Sequence, residues 1–190
     1  MRVFLAVDVD EHVRSGIHAL VERLRASLDE RAGRHGRIGW VSADQVHVTL
    51  HFIGELAEPR VAELAAQVSR PLEIDSFDLA FGGLGLFPPR GRPRVLWLGV
   101  KGGGEWLQRV HEEMGTRLLA LGLPVEERAF APHLTLARFR EPAPVAVRAA
   151  IERLDASHVG ACRVTSVTLY RSRLSPRGAT YTPITKGALR

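Results

Sequence analysis

With 190 residues, 45% of them hydrophobic, and a mean hydropathy of −0.03, the chain has the composition of a globular protein of one domain or two small lobes, and no stretch approaches membrane-spanning length. Its 26 basic against 21 acidic residues give a formal charge of +5, a modest lean toward anionic partners. Lys101 and Lys186 are the only lysines and stand in neither a Gly-Lys-Ser/Thr loop nor a Lys-x-Asp-Gly site, so NTP-driven chemistry has little support, and an aromatic content of 6% argues against an extended base-stacking surface.

Residues 2–9, apolar and partly β-branched, read as a strand, and their apolar run is too short for a signal peptide. Val13, Ile17, Leu20, Val21, Leu24 and Leu28 recur at helical spacing, with Asp10 as N-cap. Residues 29–37, charged and glycine-bearing, read as a loop. Val46 to Ile53 alternates as a strand should, with Val46, Val48, Leu50 and Phe52 on one face and His47, Thr49, His51 and Ile53 on the other. Trp40 just before it reads as an edge of the core in preference to a base-stacking wall. Glu58-Pro59 opens a helix that turns Val61, Leu64, Ala65 and Val68 inward. Residues 74–82 read as a strand, and the Gly-, Pro- and Arg-rich stretch 82–93 as a loop or lobe boundary. Within and beside that stretch, Phe87, Arg90, Arg92 and Arg94 interleave an aromatic ring with cations, a combination that suits RNA as well as it suits a solvated loop.

The pattern then repeats. Residues 95–100 read as a strand, 104–121 as a helix with Leu107, Val110, Met114, Leu118 and Leu121 inward, 132–139 as a strand, and 145–154 as a short helix. Residues 163–171 read as a strand, and Ser175-Pro176-Arg177-Gly178 as a turn into a last strand near 179–185. The order β-α-β-α-β thus occurs twice, which implies one bilobal domain over 1–190 with an internal duplication of about 1–82 and 93–185. The alternating faces imply an α+β fold with two pseudo-symmetric lobes, each a largely antiparallel sheet flanked by helices, around a central cleft. Cys162 stands alone, so neither an intrachain disulfide nor a cysteine zinc site can form, which suits a reducing cytoplasm.

Each middle strand carries the pattern His-x-Thr-Leu: His47-Val48-Thr49-Leu50 and His133-Leu134-Thr135-Leu136. With 8 His in 190 residues the chance expectation is far below one copy. On a strand, side chains two apart share a face roughly 6–7 Å from each other. Each histidine therefore has a threonine hydroxyl beside it. A lone strand histidine is more often solvated than catalytic, and threonine is an ordinary β-former; the repetition in both halves is what favours chemistry. Two imidazoles and two hydroxyls around one cavity suit a phosphate: hydroxyls hold non-bridging oxygens, one imidazole takes a proton and the other gives one. Such a pair needs no metal or other cofactor. His51 lies about 13 Å along the strand from His47, too far to share an ion with it. Arg138 could neutralise phosphate charge, but strict alternation puts it on the face opposite His133, so it reaches the site only if the strand bulges. His12, His18, His35, His111 and His158 carry no recognisable context.

These residues resemble the 2H phosphoesterases, and among them the RNA 2′,3′-cyclic phosphodiesterases once called 2′–5′ RNA ligases. The likeness spans nearly the whole chain. It includes Met1-Arg2-Val3-Phe4-Leu5-Ala6-Val7, Trp40-Val41, the run His47 to Glu55, Phe87-Pro88-Pro89, Arg94 to Val100, Pro132 to Arg138, and Ser172 to Pro176 with Gly178 and Tyr181, without departure at the motif positions. The resemblance implies hydrolysis of terminal 2′,3′-cyclic phosphates of RNA to 2′-phosphomonoesters. It implies His47 as general acid, His133 as general base, Thr49 and Thr135 as phosphate binders and Arg138 as a helper. It implies reversible 2′–5′ RNA ligation as a side activity. The partner would be RNA with cyclic phosphate ends, tRNA-like fragments among them, with no membrane and no obligate protein partner. The spacing alone supplies the histidine pair but not which of the two plays which role. Two other readings stay open at this point: a binding module that holds an RNA end without reacting, and a phosphodiesterase of small cyclic nucleotides.

Overall fold

The computed structural model describes residues 1–32, 38–143, 145–175 and 178–190. In chain order these form β1 (Arg2–Asp8), α1 (Glu11–Ala32), β2 (Ile38–Trp40), a 3-10 turn (Ala43–Gln45) and β3 (His47–Glu55). Then come α2 (Glu58–Val68), β4 (Phe77–Phe87), β5 (Val95–Gly102), α3 (Gly104–Ala120) and β6 (His133–Phe139). The chain continues through α4 (Ala146–Glu152), β7 (Gly160–Val164), β8 (Ser166–Ser175) and β9 (Gly178–Ala188).

The strands run antiparallel in the order β7-β4-β5-β6-β3-β1-β8-β9, with β2 paired to the end of β6. As expected, the fold is α+β with two lobes. One lobe is β3-β1-β8-β9, the other β6-β5-β4-β7. They touch through β3 and β6 at a single registered pair, Val48 opposite Leu134. Each lobe borrows from the other half of the chain. β4, which follows the first tetrad, pairs with β5 and β7, whereas β8, which follows the second, pairs with β1. The helices cross over as well. α1 and α4 pack together, α1 against β7 and α4 against β4, while α2 lies against β8 and β9 and α3 against β3.

Local sequence accounts for most of these elements. The six periodic residues of α1 are all buried, each contributing about 1.5–3 kcal/mol relative to exposure. Asp10 caps the helix, its Oδ1 accepting the Val13 N–H at 2.9 Å. Pro59 sits in the first turn of α2, and Val61, Leu64 and Val68 face inward.

Four readings of the sequence need correction. The segment 29–37 is not all loop. α1 continues to Ala32, because a formed helix propagates easily through good helix formers even without an apolar stripe; 33–37, with His35, lies outside the described residues. The loop expected over 82–93 shrinks to the residues between β4 and β5, since Gly82 to Phe87 extends β4 and pairs with β5 as far as Phe87 opposite Val95. Glycines there mark close approach rather than a turn: a Cβ on Gly82 would stand 2.2 Å from the Ser157 carbonyl oxygen. The strand read over 163–171 is two strands, β7 and β8, divided at Thr165, where the chain leaves one lobe for the other. The short β2 was not visible as a strand at all. Of the turn expected over 175–178, residues 176 and 177 lie outside the described residues.

Gly16 of α1 shows how tightly the crossover helix seats. In an open helix, alanine in place of glycine stabilises by about 0.5–1 kcal/mol. Here a Cβ would meet the Val159 carbonyl oxygen at 2.3 Å. Gly16→Ala is therefore expected to destabilise the protein by about 1–3 kcal/mol, lowering Tm by several degrees in thermal denaturation. A raised Tm would contradict this packing.

Candidate active site

The Val48–Leu134 pair sets the geometry of the cleft. Both side chains point into the core and are fully buried. Their flanking residues therefore face the other way, and antiparallel register places His47 against Thr135 and Thr49 against His133. All four are half-buried. The structure thus brings the two tetrads to one surface, as the spacing led one to expect.

Beyond the tetrads, alternation fails in both strands at the same step. In the β1–β3 ladder Ala6 faces Thr49 but Leu5 faces His51, so Leu50 is passed over. In the β5–β6 ladder Trp97 faces Thr135 but Leu96 faces Ala137, so Leu136 is passed over. Such bulges invert the facing of every later side chain. The burial sequence is the same in both strands: over 47–53 and 133–139 it runs half-buried, buried, half-buried, buried, buried, exposed, buried.

Three consequences correct the sequence reading. Arg138, on the wrong face by strict alternation, returns to the face of His133 and acts electrostatically on both His133 and His47. Phe52, its counterpart on β3, is not a core residue: it is 50% exposed, 5.6 Å from the Phe4 ring, with the Arg2 guanidinium 5.9 Å from its ring centroid. His51 does not share the face of His47. It is buried on the helix side, stacked 4.0 Å from His111, which in turn stacks 4.2 Å from Phe130. The His51 Nε2–H donates to the His111 carbonyl at 2.8 Å, and the His111 Nδ1–H to the Leu50 carbonyl at 3.1 Å. His111, which carried no recognisable context, is thus a packing residue behind the site.

The two cleft histidines are held alike. His47 Nδ1–H donates to the Gln45 carbonyl at 2.8 Å, and His133 Nδ1–H to the Ala131 carbonyl at 2.7 Å. A carbonyl oxygen can only accept, so in the neutral ring the proton sits on Nδ1 and the Nε2 lone pair is left for the cleft. Burial pushes both imidazoles below their ordinary value of 6.5, and the carbonyl hydrogen bonds oppose it. The Arg138 guanidinium depresses both further; His47 is also raised by Asp8 and lowered by His133.

The walls are aromatic despite the low aromatic content. On one side Phe4 lies under His47 (4.9 Å) and Tyr181 meets it edge-on (5.1 Å), with Tyr170 stacked on Phe4 at 5.3 Å. On the other, Phe87 meets His133 edge-on at 5.1 Å and packs 5.3 Å from Trp97. Trp97 lies directly on Gly85, where a Cβ would come within 2.0 Å of the indole. Of the loop cluster, then, Phe87 reaches the site; Arg90, Arg92 and Arg94 are exposed, and Arg92 turns its Nε–H toward the Ala143 carbonyl at 3.5 Å. Trp40 is half-buried at the core edge under Arg25. Sequence reasoning missed Asp8, Tyr170, Tyr181 and Trp97. Each comes from a strand remote in sequence from its histidine, and only the pairing places it. Among the described residues no group of three or more His, Cys, Asp or Glu is placed to hold a metal ion, and no helix is long and apolar enough to cross a membrane.

A family model described as the 2′-5′ RNA ligase superfamily matches residues 7–175. The RNA 2′,3′-cyclic phosphodiesterase of Aeropyrum pernix is 35% identical over 164 residues, 85% of this chain and 92% of its own. That of Archaeoglobus fulgidus is 33% identical over 181 residues, 95% of this chain and 96% of its own. Among solved structures, TT0787 of Thermus thermophilus superposes with a TM-score of 0.75 at 32% identity, covering 100% of this chain and 98% of that one. E. coli LigT complexed with 3′-AMP superposes at 0.74 and 27% identity, covering 99% and 97%.

The hydrogen bonds of the two rings make a direct prediction. In nitrogen-15 NMR spectra the neutral forms of His47 and His133 are expected to be Nδ1–H tautomers, each with a titration midpoint below 6.5. An Nε2–H tautomer at either ring would refute the arrangement.

Proposed function

Since the chain belongs to the 2′-5′ RNA ligase superfamily, the 2H phosphoesterases, we propose that it hydrolyses terminal 2′,3′-cyclic phosphates of RNA to 2′-phosphomonoesters by acid–base catalysis between two histidines. The observation that carries the reading is the matched pair of imidazoles: each sits on a half-buried strand, has Nδ1–H tied to the carbonyl two residues back, and has a threonine hydroxyl beside it.

In this reaction Thr49 and Thr135 donate to the non-bridging oxygens, and the Arg138 guanidinium offsets the charge gathering on them. The His133 Nε2 lone pair takes a proton from water as the water oxygen attacks phosphorus. The bond from phosphorus to the ribose 3′ oxygen breaks, and protonated His47 gives its Nε2 proton to that oxygen. The product keeps its phosphate on the 2′ oxygen. With a 5′-hydroxyl in place of water, the same step forms a 2′–5′ linkage: His133 takes the hydroxyl proton, the 5′ oxygen attacks phosphorus, and the 3′ oxygen leaves with a proton from His47. The reverse step cleaves that linkage, so reversible ligation is a side reaction of the same site. Neither proton transfer requires a metal. The partner is RNA bearing a cyclic phosphate end, tRNA-like fragments included. The two strand pairs correspond register by register, which supports a duplication of about 1–82 and 93–185.

The test is incubation of an oligoribonucleotide ending in a 2′,3′-cyclic phosphate with the protein in EDTA, with the product read by phosphorus NMR. The 2′-phosphate is expected; a 3′-phosphate would reverse the roles of the histidines. His47→Ala and His133→Ala are each expected to lower turnover by about 10²–10⁴-fold without unfolding the protein. Thr49→Val or Thr135→Val should cost on the order of 10²-fold.

The pH profile of kcat/KM should be a bell. The base is lost as pH falls through its midpoint, and the acid is lost as pH rises through its own. Because burial lowers both rings, the free-enzyme optimum is expected on the acid side of 6.5. An optimum well above neutrality would speak against two buried histidines.

A further inference from the structure

The strand frame treats the two histidines as equals. Ala6 and Trp97 face the two threonines, Val7 and Leu98 face Val48 and Leu134, and the bulges fall at the same step. The tetrads and the Nδ1 hydrogen bonds are the same as well. Nothing in that frame says which ring should carry a proton when the other does not.

The equivalence fails at the next ladder position. Asp8 faces His47, whereas Gly99 faces His133. Directly opposed residues on antiparallel strands place their Cβ atoms about 4.5–5.5 Å apart on one face. Asp8 and His47 accordingly line one cavity of about 210 Å³ together with Arg14, Tyr170 and Tyr181. At the other position a carboxylate is sterically discouraged: a Cβ on Gly99 would stand 3.0 Å from the Gly82 carbonyl oxygen.

The Asp8 carboxylate is also fixed in place. Tyr170 O–H donates to Oδ1 at 2.6 Å, Thr168 O–H to Oδ2 at 2.8 Å, and Lys186 Nζ to Oδ2 at 3.3 Å. Three donors from two strands, β8 and β9, thus converge on one side chain, which is 25% exposed. We propose that Asp8 is a positioning residue that holds the proton on His47, and so makes His47 rather than His133 the acid in the reaction proposed above.

Burial lowers both rings, and the charges around them differ. Facing His47 are Asp8 from β1, Arg138 and His133 from β6, Arg14 from α1, Asp44 from the 3-10 turn and the phenols of Tyr170 and Tyr181 from β8 and β9. Of these, Asp8 raises the ring, while Arg138 and His133 lower it. His133 has Arg138 lowering it and, among the described residues, no carboxylate opposing. A carboxylate at this distance favours the imidazolium without touching substrate.

Two substitutions and two readouts test the proposal. In Asp8→Asn, the His47 midpoint followed by NMR in the free protein is expected to fall while that of His133 stays. The alkaline limb of the pH profile for hydrolysis of cyclic-phosphate RNA should move to lower pH with it, so that turnover on that limb drops by about tenfold, and the acid limb should not move. Lys186→Ala removes an exposed cation from the carboxylate and is expected to move the His47 midpoint and the alkaline limb the opposite way. It keeps the test open if Asp8→Asn unfolds. A role confined to stability would lower Tm in Asp8→Asn but leave both limbs in place. An unmoved His47 midpoint in both variants, or equal movement of both rings, overturns the proposal. So does a His47 shift without a matching limb. Failure of the unaltered protein to hydrolyse cyclic phosphate would instead overturn the function, and the titrations would still decide whether Asp8 governs His47.

Discussion

Two half-sheets meet at one residue pair, and the molecule depends on the economy of that contact. Val48 and Leu134 bring β3 and β6 together at one register position. Their side chains enter the core, so the residues on either side of each must face out. Had the strands stayed paired along their length, the sheet would be continuous and the cleft absent. Had they not met, the tetrads would lie on separate lobes. A single bridge, with β6 paired to β5 on its other edge and β3 to β1, lets the lobes diverge while four polar side chains stay at the point of contact.

The bulges then decide what else enters the cleft. Passing over Leu50 and Leu136 turns Phe52 and Arg138 outward on the cleft side and sends His51 and Ala137 to the helix side. Identical backbone geometry thus delivers an apolar ring in one lobe and a cation in the other. Asp8 and Gly99 diverge in the same manner, and so do Ala6 and Trp97. The frame is symmetric, and single residues at matched stations make its two sides unlike. A reaction in which one histidine takes a proton and its twin gives one requires an asymmetry of this kind.

Much of this was legible in the chain. Helical spacing placed the buried faces of α1, α2 and α3, Asp10 its cap, and the repeated tetrad the two middle strands. Burial by periodicity is a local property, and local sequence encodes it. The bulges were not legible, because skipping one residue in a ladder depends on the neighbouring strand. For the same reason alternation mistook Phe52 for core and put His51 beside His47. Glycine misled over 82–87: it signals a turn when isolated, but here it admits the Trp97 indole and the Ser157 carbonyl to the backbone. Asp8 ended an apolar strand without distinction, and only its partners 160 and more residues away give it meaning. Of the cleft aromatics only Phe87 was singled out; Phe4, Trp97, Tyr170 and Tyr181 were not read as site residues, for the same reason. Composition counted few rings, and tertiary structure gathered them.

The exchange of strands between lobes also governs when the protein can come into being. β1 is made well before β8, with which it pairs on one edge, Val3 lying opposite Arg171. Until residues 166–188 leave the ribosome, the lobe that holds His47 lacks half of its sheet, and Phe4 lacks the cover of Tyr170 and Tyr181. The early strands must wait with apolar edges unpaired, a topology of high contact order that folds slowly and leans on protection during synthesis. In return, a nascent chain that lacks β8 and β9 cannot assemble the donors around the Asp8 carboxylate. That side of the cleft closes only once both strands have been made.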